Sequence, residues 1–97
     1  MHTHNYFIYI LTNKNKTTLY IGVTNDIKNR LYYHQNNDDR QSFTKKYNCF
    51  HLIYYEMFDN VNDAIAREKQ LKGWSRKKKE ELIYGFNKEW RFLNDEI

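Results

Sequence analysis

The sequence contains no proline, only three glycines and a single cysteine. Without proline or a low-complexity stretch it has no recognisable linker, and it shows no internal repeat. Cys49 has no partner for an internal disulfide, and no CxxC pair is present for zinc. The longest nearly unbroken apolar run, Tyr6 to Leu11, is far shorter than the ~20 residues that cross a bilayer. Because the N-terminus also lacks a signal-peptide pattern, we expect a cytoplasmic protein with no membrane contact.

Aromatic and basic residues are what the sequence does contain. With 97 residues, 40% hydrophobic and 18% aromatic, the chain predicts one packed domain over 1–97, with its core in about 5–93. The formal charge of +4 is compatible with a polyanionic partner, because lysine and arginine release condensed counterions from phosphates. Many small domains carry this charge, so composition alone does not identify nucleic acid as the partner.

Two β-branched and aromatic segments near the N-terminus, 6–11 and 19–23, predict an antiparallel hairpin around a polar loop. If Lys14 and Asn15 form the centre of the turn, Tyr9 pairs directly with Tyr20. The two rings would then share one face of the sheet.

Three helices and a third strand are predicted after the hairpin. The first helix spans about 26–35 with Thr24 or Asn25 as its cap, and a polar loop covers 36–40. A strand over 50–58 precedes a helix over 61–72, which Asp59 or Asn60 would cap and Gly73 would end.

The last predicted helix begins after a Ser75 cap and reaches about residue 84, with Gly85 as its stop. The tail from 87 to 97 should pack back through Trp90, Phe92 and Leu93. The predicted order is β-β-α-β-α-α, a compact α+β domain with a three-stranded antiparallel sheet flanked by helices.

Helical phase places one charged residue among the apolar positions of the second helix. At about 100° per residue, the buried stripe consists of Val61, Ala64, Ile65 and Leu71. Glu68 falls near the middle of that stripe, where an ionised carboxylate must be paired, hydrogen-bonded or bound to a metal. Two explanations stay open: a metal ligand facing a cleft, or an ion pair with Arg67, Lys69 or Lys72.

The first helix has the same feature. His34 projects between the apolar residues Ile27 and Leu31, and Arg30 lies beside His34, four residues earlier. Arg30 could instead pair with Asp26, and His34 could be a core histidine bonded to a backbone carbonyl. Together, however, two tyrosines, an arginine, a histidine and a glutamate on one face are more typical of a phosphoryl-transfer site than of a core.

These residues also resemble a known family. Phe7-Ile8-Tyr9 followed by Tyr20-Ile21-Gly22, then Arg30 and His34, is similar to the GIY-YIG nuclease domain. Further segments resemble its small stand-alone bacterial branch, described as putative endonucleases or excinuclease-subunit-C-like proteins; these segments are 42–46, 66–72 and 73–76. Phe7 replaces the first glycine of the motif and leaves the tyrosine in place.

The resemblance implies a set of catalytic residues. These are Tyr9, Tyr20, Arg30, His34, Glu68 and Asn87, with Glu68 as the metal ligand. It implies an endonuclease that hydrolyses DNA with one divalent ion, Mg²⁺ or Mn²⁺, in DNA repair or processing. Tyr9 would be the general base, Tyr20 its orienting partner and His34 a helper. Because a tyrosine has a reference pKa near 10, Tyr9 could deprotonate water only if nearby positive charge lowers its pKa. Close relatives often follow the late asparagine with proline, whereas Lys88 follows Asn87 here.

A basic run opens the last helix, where positive charge is unfavourable unless phosphates lie nearby. The residues expected to contact DNA are Lys45, Lys46, Lys72, Arg76, Lys77, Lys78 and Lys79. The small size is compatible with a protein partner that supplies affinity or targeting.

Two other functions compete with the nuclease: a nucleic-acid-binding module with little catalysis, and a purely structural interaction domain. A binding module would favour lysine or arginine at position 68, so Glu68 favours the enzyme.

Overall fold

The computed structural model describes residues 5–36 and 43–97. Its elements are β1 (Tyr6–Thr12), β2 (Leu19–Thr24), α1 (Ile27–Asn36), α2 (Phe43–Tyr47), β3 (His51–Phe58), α3 (Val61–Lys72) and α4 (Arg76–Phe86), followed by a 3₁₀ turn at Asn94–Glu96. The predicted α+β fold is confirmed, with the five-residue helix α2 added between α1 and β3. The predicted loop lies outside the described residues except for Asn36, which ends α1. None of the helices in the described ranges is long and apolar enough to cross a membrane.

The strands form an antiparallel sheet in the order β2-β1-β3. Tyr9 lies opposite Gly22, and Leu11 lies opposite Tyr20, so the predicted direct pair of Tyr9 with Tyr20 is wrong. The turn is centred one residue later than predicted, because the Asn13 side chain accepts hydrogen bonds from the backbone amides of Thr17 and Thr18. A register shift of two residues keeps side chains on the same face. The two rings therefore still share a face, with centroids 6.3 Å apart.

Each face of the sheet carries its own apolar cluster. On one face, the β1 residues Ile8 and Ile10 pack with helical residues of α3 and α4, among them Ala64, Leu71 and Ile83. On the other face, Tyr9 and Leu11 pack with Ile27 and Leu31 of α1 and with Leu93 of the tail. Side chains alternate along β1, so this strand supplies both clusters. The face that carries Tyr9 also holds the candidate site.

Capping side chains fix the starts of the helices. The Asp26 carboxylate accepts from the amide of Asn29 and caps α1, so the predicted caps Thr24 and Asn25 are wrong. Thr24 instead accepts from the amide of Asp26. At α3 the prediction is confirmed, since Asn60 accepts from the amide of Asn62 and Gly73 follows the last residue.

Two expectations for the helices are corrected. Helix α4 continues through Gly85 to Phe86, and the amide of Asn87 bonds to the carbonyl of Ile83. Val61, the first residue of α3, is 39% exposed and does not belong to the buried stripe. Ala64 and Leu71 are fully buried, as predicted.

The C-terminal segment runs along β3. The amide of Leu93 donates to the carbonyl of Leu52, and the Asn94 side chain bonds to the amide of Leu52 and the carbonyl of Phe50. These bonds occupy backbone groups of a strand at the border of the sheet. Leu93 is buried, whereas Phe92 is 38% exposed and stacks on His51. The predicted return of the tail onto the domain is confirmed.

Candidate active site

The side chain of Tyr9 lies across Gly22 on the neighbouring strand. Tyr9 is 2% exposed, and a Cβ atom built at Gly22 would lie only 2.5 Å from Cζ of its ring. The close approach of the ring, and not the backbone conformation, is what requires glycine at this position. Among the described residues, no glycine has a positive φ. The Tyr9 hydroxyl reaches Nε2 of His34 at 2.9 Å. The strand pairing of β1 with β2 therefore positions the hydroxyl against α1.

His34 is a buried histidine with two hydroxyl partners. It is 5% exposed, and its Nδ1 lies 3.0 Å from Oγ1 of Thr44 on α2. Burial, and then the positive charge of Arg30, lower the pKa of His34 to about 4. The ring is therefore neutral near pH 7. The alternative expectation that His34 bonds to a backbone carbonyl is wrong, because both of its ring nitrogens face side-chain hydroxyls.

The ring of Tyr20 contacts the rings of His34 and Phe43. Its ring centroid lies 5.2 Å from that of His34 and 5.8 Å from that of Phe43. Burial raises the pKa of Tyr20, which Arg30 lowers and Glu68 raises. The two charged residues therefore act on this hydroxyl with opposite signs.

Burial is also the largest influence on the pKa of the Tyr9 hydroxyl. Its pKa is raised by burial, then by the nearby Tyr20, whereas the positive charge of Arg30 lowers it and Glu68 raises it. The net direction is upward, so Arg30 alone does not supply the lowering that a tyrosine base needs. Tyr9 is a protonated hydroxyl at neutral pH.

Glu68 and Arg30 bring opposite charges to these tyrosines from two different helices. The Glu68 side chain is 17% exposed, and its carboxylate lies 3.6 Å from Nζ of Lys72. Of the ion pairs considered for Glu68, the one with Lys72 is therefore present, while Arg67 bonds to Glu56 instead. Arg30 is exposed and lies over the ring of Tyr33, and within the described ranges no ion pair joins it to Asp26.

A sequence model described as the GIY-YIG catalytic domain matches residues 5–81. The chain belongs to the GIY-YIG family. This is a family of nucleases. The match confirms the membership that the sequence motifs predict. The matched range contains both tyrosines, Arg30, His34 and Glu68, while Asn87 lies beyond its end.

Small proteins of similar length are among the relatives. A UPF0213 protein of Staphylococcus saprophyticus is 40% identical over 78 residues, covering 80% of this chain and 93% of that protein. A UPF0213 protein of Bacillus pumilus is 35% identical over 83 residues, covering 86% and 83%. The solution NMR structure of a UPF0213 protein from Bacillus halodurans superposes with a TM-score of 0.55 at 29% identity, over 86% of each chain. The expected small stand-alone branch is thus confirmed.

Asn87 makes its side-chain hydrogen bonds to backbone groups of β3 and of the C-terminal tail, not to the other residues expected in the site. Its Nδ2 donates to the carbonyls of Ile53 and Arg91 at 3.0 and 2.8 Å, and its Oδ1 accepts from the amide of Arg91 at 3.0 Å. Ile53 has no partner in β1, because the pairing skips from Leu52 to Tyr54 at a bulge. Asn87 therefore satisfies a carbonyl that the sheet leaves unpaired.

The basic residues divide into several surfaces. Lys72 and Lys79 line a cavity of about 280 Å³ with Tyr20 and Phe43. Arg76 is engaged elsewhere, since it donates to the carbonyls of Lys16 and Thr17 in the hairpin loop and to Glu80.

The other basic residues lie beside aromatic rings or a separate cavity. Lys78 lies 4.3 Å from the ring centre of Trp74, and Lys77 lines another cavity with Trp90. Lys45 lies over the ring of Phe50, and Lys46 lies over the ring of Tyr47, which contacts the ring of Phe43. The run from 76 to 79 is thus not one uniform surface.

Two residues of the site have roles that the sequence pattern does not predict. Thr44 is 3% exposed and bonds to His34. Gly22 makes room for the ring of Tyr9. A polar residue within a short aromatic and basic segment is the only local signal for Thr44. The role of Gly22 depends on the strand register.

Proposed function

We propose that the chain is a metal-dependent endonuclease that hydrolyses DNA phosphodiester bonds, in DNA repair or processing. The observation that carries the proposal is the buried Tyr9 hydroxyl, bonded to a neutral imidazole and influenced by both Arg30 and Glu68. A core would not require these groups together. Membership in the GIY-YIG family supports nuclease activity. The cytoplasmic location expected from the sequence stays a prediction.

Glu68 suits a single hard cation. The described residues contain no cluster of three or more His, Cys, Asp or Glu side chains that could hold a metal. Mg²⁺ keeps several of its waters and prefers oxygen ligands, so one half-buried carboxylate is a sufficient protein ligand. Mn²⁺ accepts the same oxygen donors. When bound there, the ion would polarise the phosphoryl group and stabilise the leaving 3′ oxygen.

Arg30 would bind the scissile phosphate. Its guanidinium is exposed and offers a planar fork of donors that matches phosphate oxygens. Its positive charge already acts on Tyr9, Tyr20 and His34, so a phosphate bound to it would lie beside these rings.

Tyr9 would act as the base through His34. As Tyr9 takes a proton from the attacking water, its own hydroxyl proton passes to Nε2 of His34, 2.9 Å away. Tyr9 then never becomes a buried phenolate, which agrees with its raised pKa. A phosphate on Arg30 would also offset the positive charge that lowers the pKa of His34.

The other residues expected in the site have supporting roles in this proposal. Tyr20 would orient the phosphate and the Tyr9 hydroxyl, and Asn87 would hold the tail against β3 rather than touch the substrate. The two lysines of α2, Lys45 and Lys46, would contact the DNA backbone, as would Lys72 and Lys79, which line the cavity beside Tyr20. These contacts carry no base readout, so no sequence specificity is proposed.

Nicking of supercoiled plasmid and cleavage of branched DNA test the proposal, each with Mg²⁺, Mn²⁺ or chelator. We expect metal-dependent cleavage that falls by roughly 10²–10⁴-fold in Tyr9→Phe and in Glu68→Gln. Tyr54→Phe and Glu80→Gln are matched controls, because Tyr54 is a buried tyrosine bonded to Glu56 and Glu80 has an i,i+4 ion pair with Arg76. Both controls should cleave like the wild type. DNA binding without cleavage of any substrate would make the chain a binding module instead.

A further inference from the structure

Helix α2 contributes one buried side chain to the domain. Of its five residues, only Thr44 is buried, at 3% exposure, while its neighbours Phe43 and Tyr47 are 43% and 42% exposed. Burying a threonine hydroxyl is unfavourable unless it has a partner. The partner of Thr44 is Nδ1 of His34, at 3.0 Å.

The other nitrogen of His34 faces Tyr9. The imidazole therefore bridges Oγ1 of Thr44 and the hydroxyl of Tyr9, at 3.0 and 2.9 Å. A neutral imidazole carries one N–H, so one nitrogen donates and the other accepts. Either Nδ1–H donates to Thr44 and Tyr9 donates to Nε2, or both bonds run in the opposite direction.

Acidity decides between the two arrangements. The phenol of tyrosine, with a reference pKa near 10, is a far stronger acid than an aliphatic hydroxyl, and its oxygen is a weaker acceptor. The better donor should therefore face the basic nitrogen, and the better acceptor should face the N–H. This places the proton of His34 on Nδ1, toward Thr44.

We propose that Thr44 is a positioning residue that holds His34 as the Nδ1–H tautomer, with Nε2 free to accept the hydroxyl proton of Tyr9. The tautomer assignment concerns the protein without substrate. Its catalytic consequence rests on the proposed function, because only this tautomer can receive the proton that Tyr9 gives up. In the other tautomer, Nε2–H would donate to Tyr9 and the relay would be blocked.

Thr44→Val keeps the branched shape and removes the hydroxyl. A buried Nδ1–H without an acceptor is unfavourable. The ring should therefore change to the Nε2–H tautomer, which leaves an unprotonated Nδ1 against the valine methyl group. Thr44→Ser keeps the hydroxyl and should keep the tautomer.

The tautomer can be measured directly from the ¹⁵N chemical shifts of the His34 ring, through long-range ¹H–¹⁵N correlation near pH 7. We expect a protonated Nδ1 and an unprotonated Nε2 in the wild type and in Thr44→Ser, and the reverse in Thr44→Val. Thr12→Val is the matched control, because Thr12 is a fully buried threonine whose hydroxyl donates to the carbonyl of Thr18. That variant should leave the His34 shifts unchanged.

Cleavage gives the second readout. The turnover rate of Thr44→Val should fall by about tenfold or more with little change in KM, and Thr44→Ser should restore it. A wild-type ring protonated at Nε2, or an Nδ1–H signal that survives in Thr44→Val, would overturn the assignment. If Thr44→Val fails to fold, the spectra of the wild type and of Thr44→Ser still show which nitrogen of His34 carries the proton. If the tautomers behave as expected and no variant cleaves DNA, the proposed nuclease function fails while the role of Thr44 stands.

Discussion

Replacing Gly22 with alanine tests the close approach that positions Tyr9. The added Cβ would lie 2.5 Å from Cζ and 3.0 Å from Cε1 of the Tyr9 ring. Carbon atoms in contact prefer about 3.5–4.0 Å, so the ring must move by about 1 Å. Tyr9 is 2% exposed and has little space in which to move.

The displacement should cost both stability and activity. Overpacking of a buried contact typically costs about 1–3 kcal/mol in the free energy of unfolding. Moving the Tyr9 hydroxyl by about 1 Å also breaks its 2.9 Å bond to Nε2 of His34. A misplacement of this size in a reacting group lowers the rate by about 100-fold.

Gly85→Ala is the matched control, because nothing lies within 4 Å of a Cβ at this helical position. The same chemical change there should stabilise α4 by about 0.5–1 kcal/mol and leave cleavage unchanged. Urea unfolding of both variants gives the free energies, and plasmid nicking gives the rates. If Gly22→Ala unfolds within 0.5 kcal/mol of the wild type, roughly the error of such measurements, and cleaves normally, the argument from close packing is wrong.

Three further predictions concern stability and accessibility. Burial lowers the pKa of His34 from 6.5 to about 4. Between these two pH values the imidazole takes up a proton in the unfolded chain but not in the folded protein. His34 should therefore lower the free energy of unfolding by about 3 kcal/mol from pH 6.5 to pH 4. His34→Gln should lack that part of the pH slope in urea titrations, and an identical slope would contradict it. Asn87→Ala should lower the free energy of unfolding by roughly 1–3 kcal/mol, since it leaves the Ile53 carbonyl without its donor, whereas Asn62→Ala on the surface of α3 should change it little. The thiol of Cys49 is fully buried, and burial raises its pKa to about 11, so a thiol-reactive dye should label it only as fast as the protein opens; rapid labelling of the native state would contradict its burial.

The sequence predicts a helix well where residues typical of both of its ends are present. Helix α3 has both a capping asparagine and a terminal glycine, and its bounds agree with the prediction. Gly85 gave a false stop because the backbone of Asn87, held by its own side-chain bonds, ends α4 two residues later. Helix α2 could not be predicted, since five residues with one buried side chain carry no helical period.

The site was predictable only in part, because its geometry combines local phase with tertiary contacts. Helical phase correctly placed His34 on a buried face and Glu68 at a half-buried position. Phase could not supply their partners, since Tyr9 comes from a strand and Thr44 from a short helix. Phase does send the four consecutive residues of the basic run in different directions, at about 100° per residue, but it could not identify what each of them contacts. Arg76 thus reaches the hairpin while Lys78 lies over Trp74.

The two explanations considered for Glu68 are compatible with each other. Its ion pair with Lys72 is long, at 3.6 Å, and the lysine side chain is 53% exposed. Exposed pairs of this kind contribute roughly 0–1 kcal/mol, so exchanging the lysine for a divalent cation would cost little. Until that exchange, Lys72 provides a positive charge beside a half-buried carboxylate, which otherwise pays for its desolvation without compensation. Lys72 also lines the cavity beside Tyr20, so after release it would stay within reach of a phosphate there. The ion pair that first suggested a purely structural Glu68 is therefore what a metal-binding carboxylate would need in the absence of its metal.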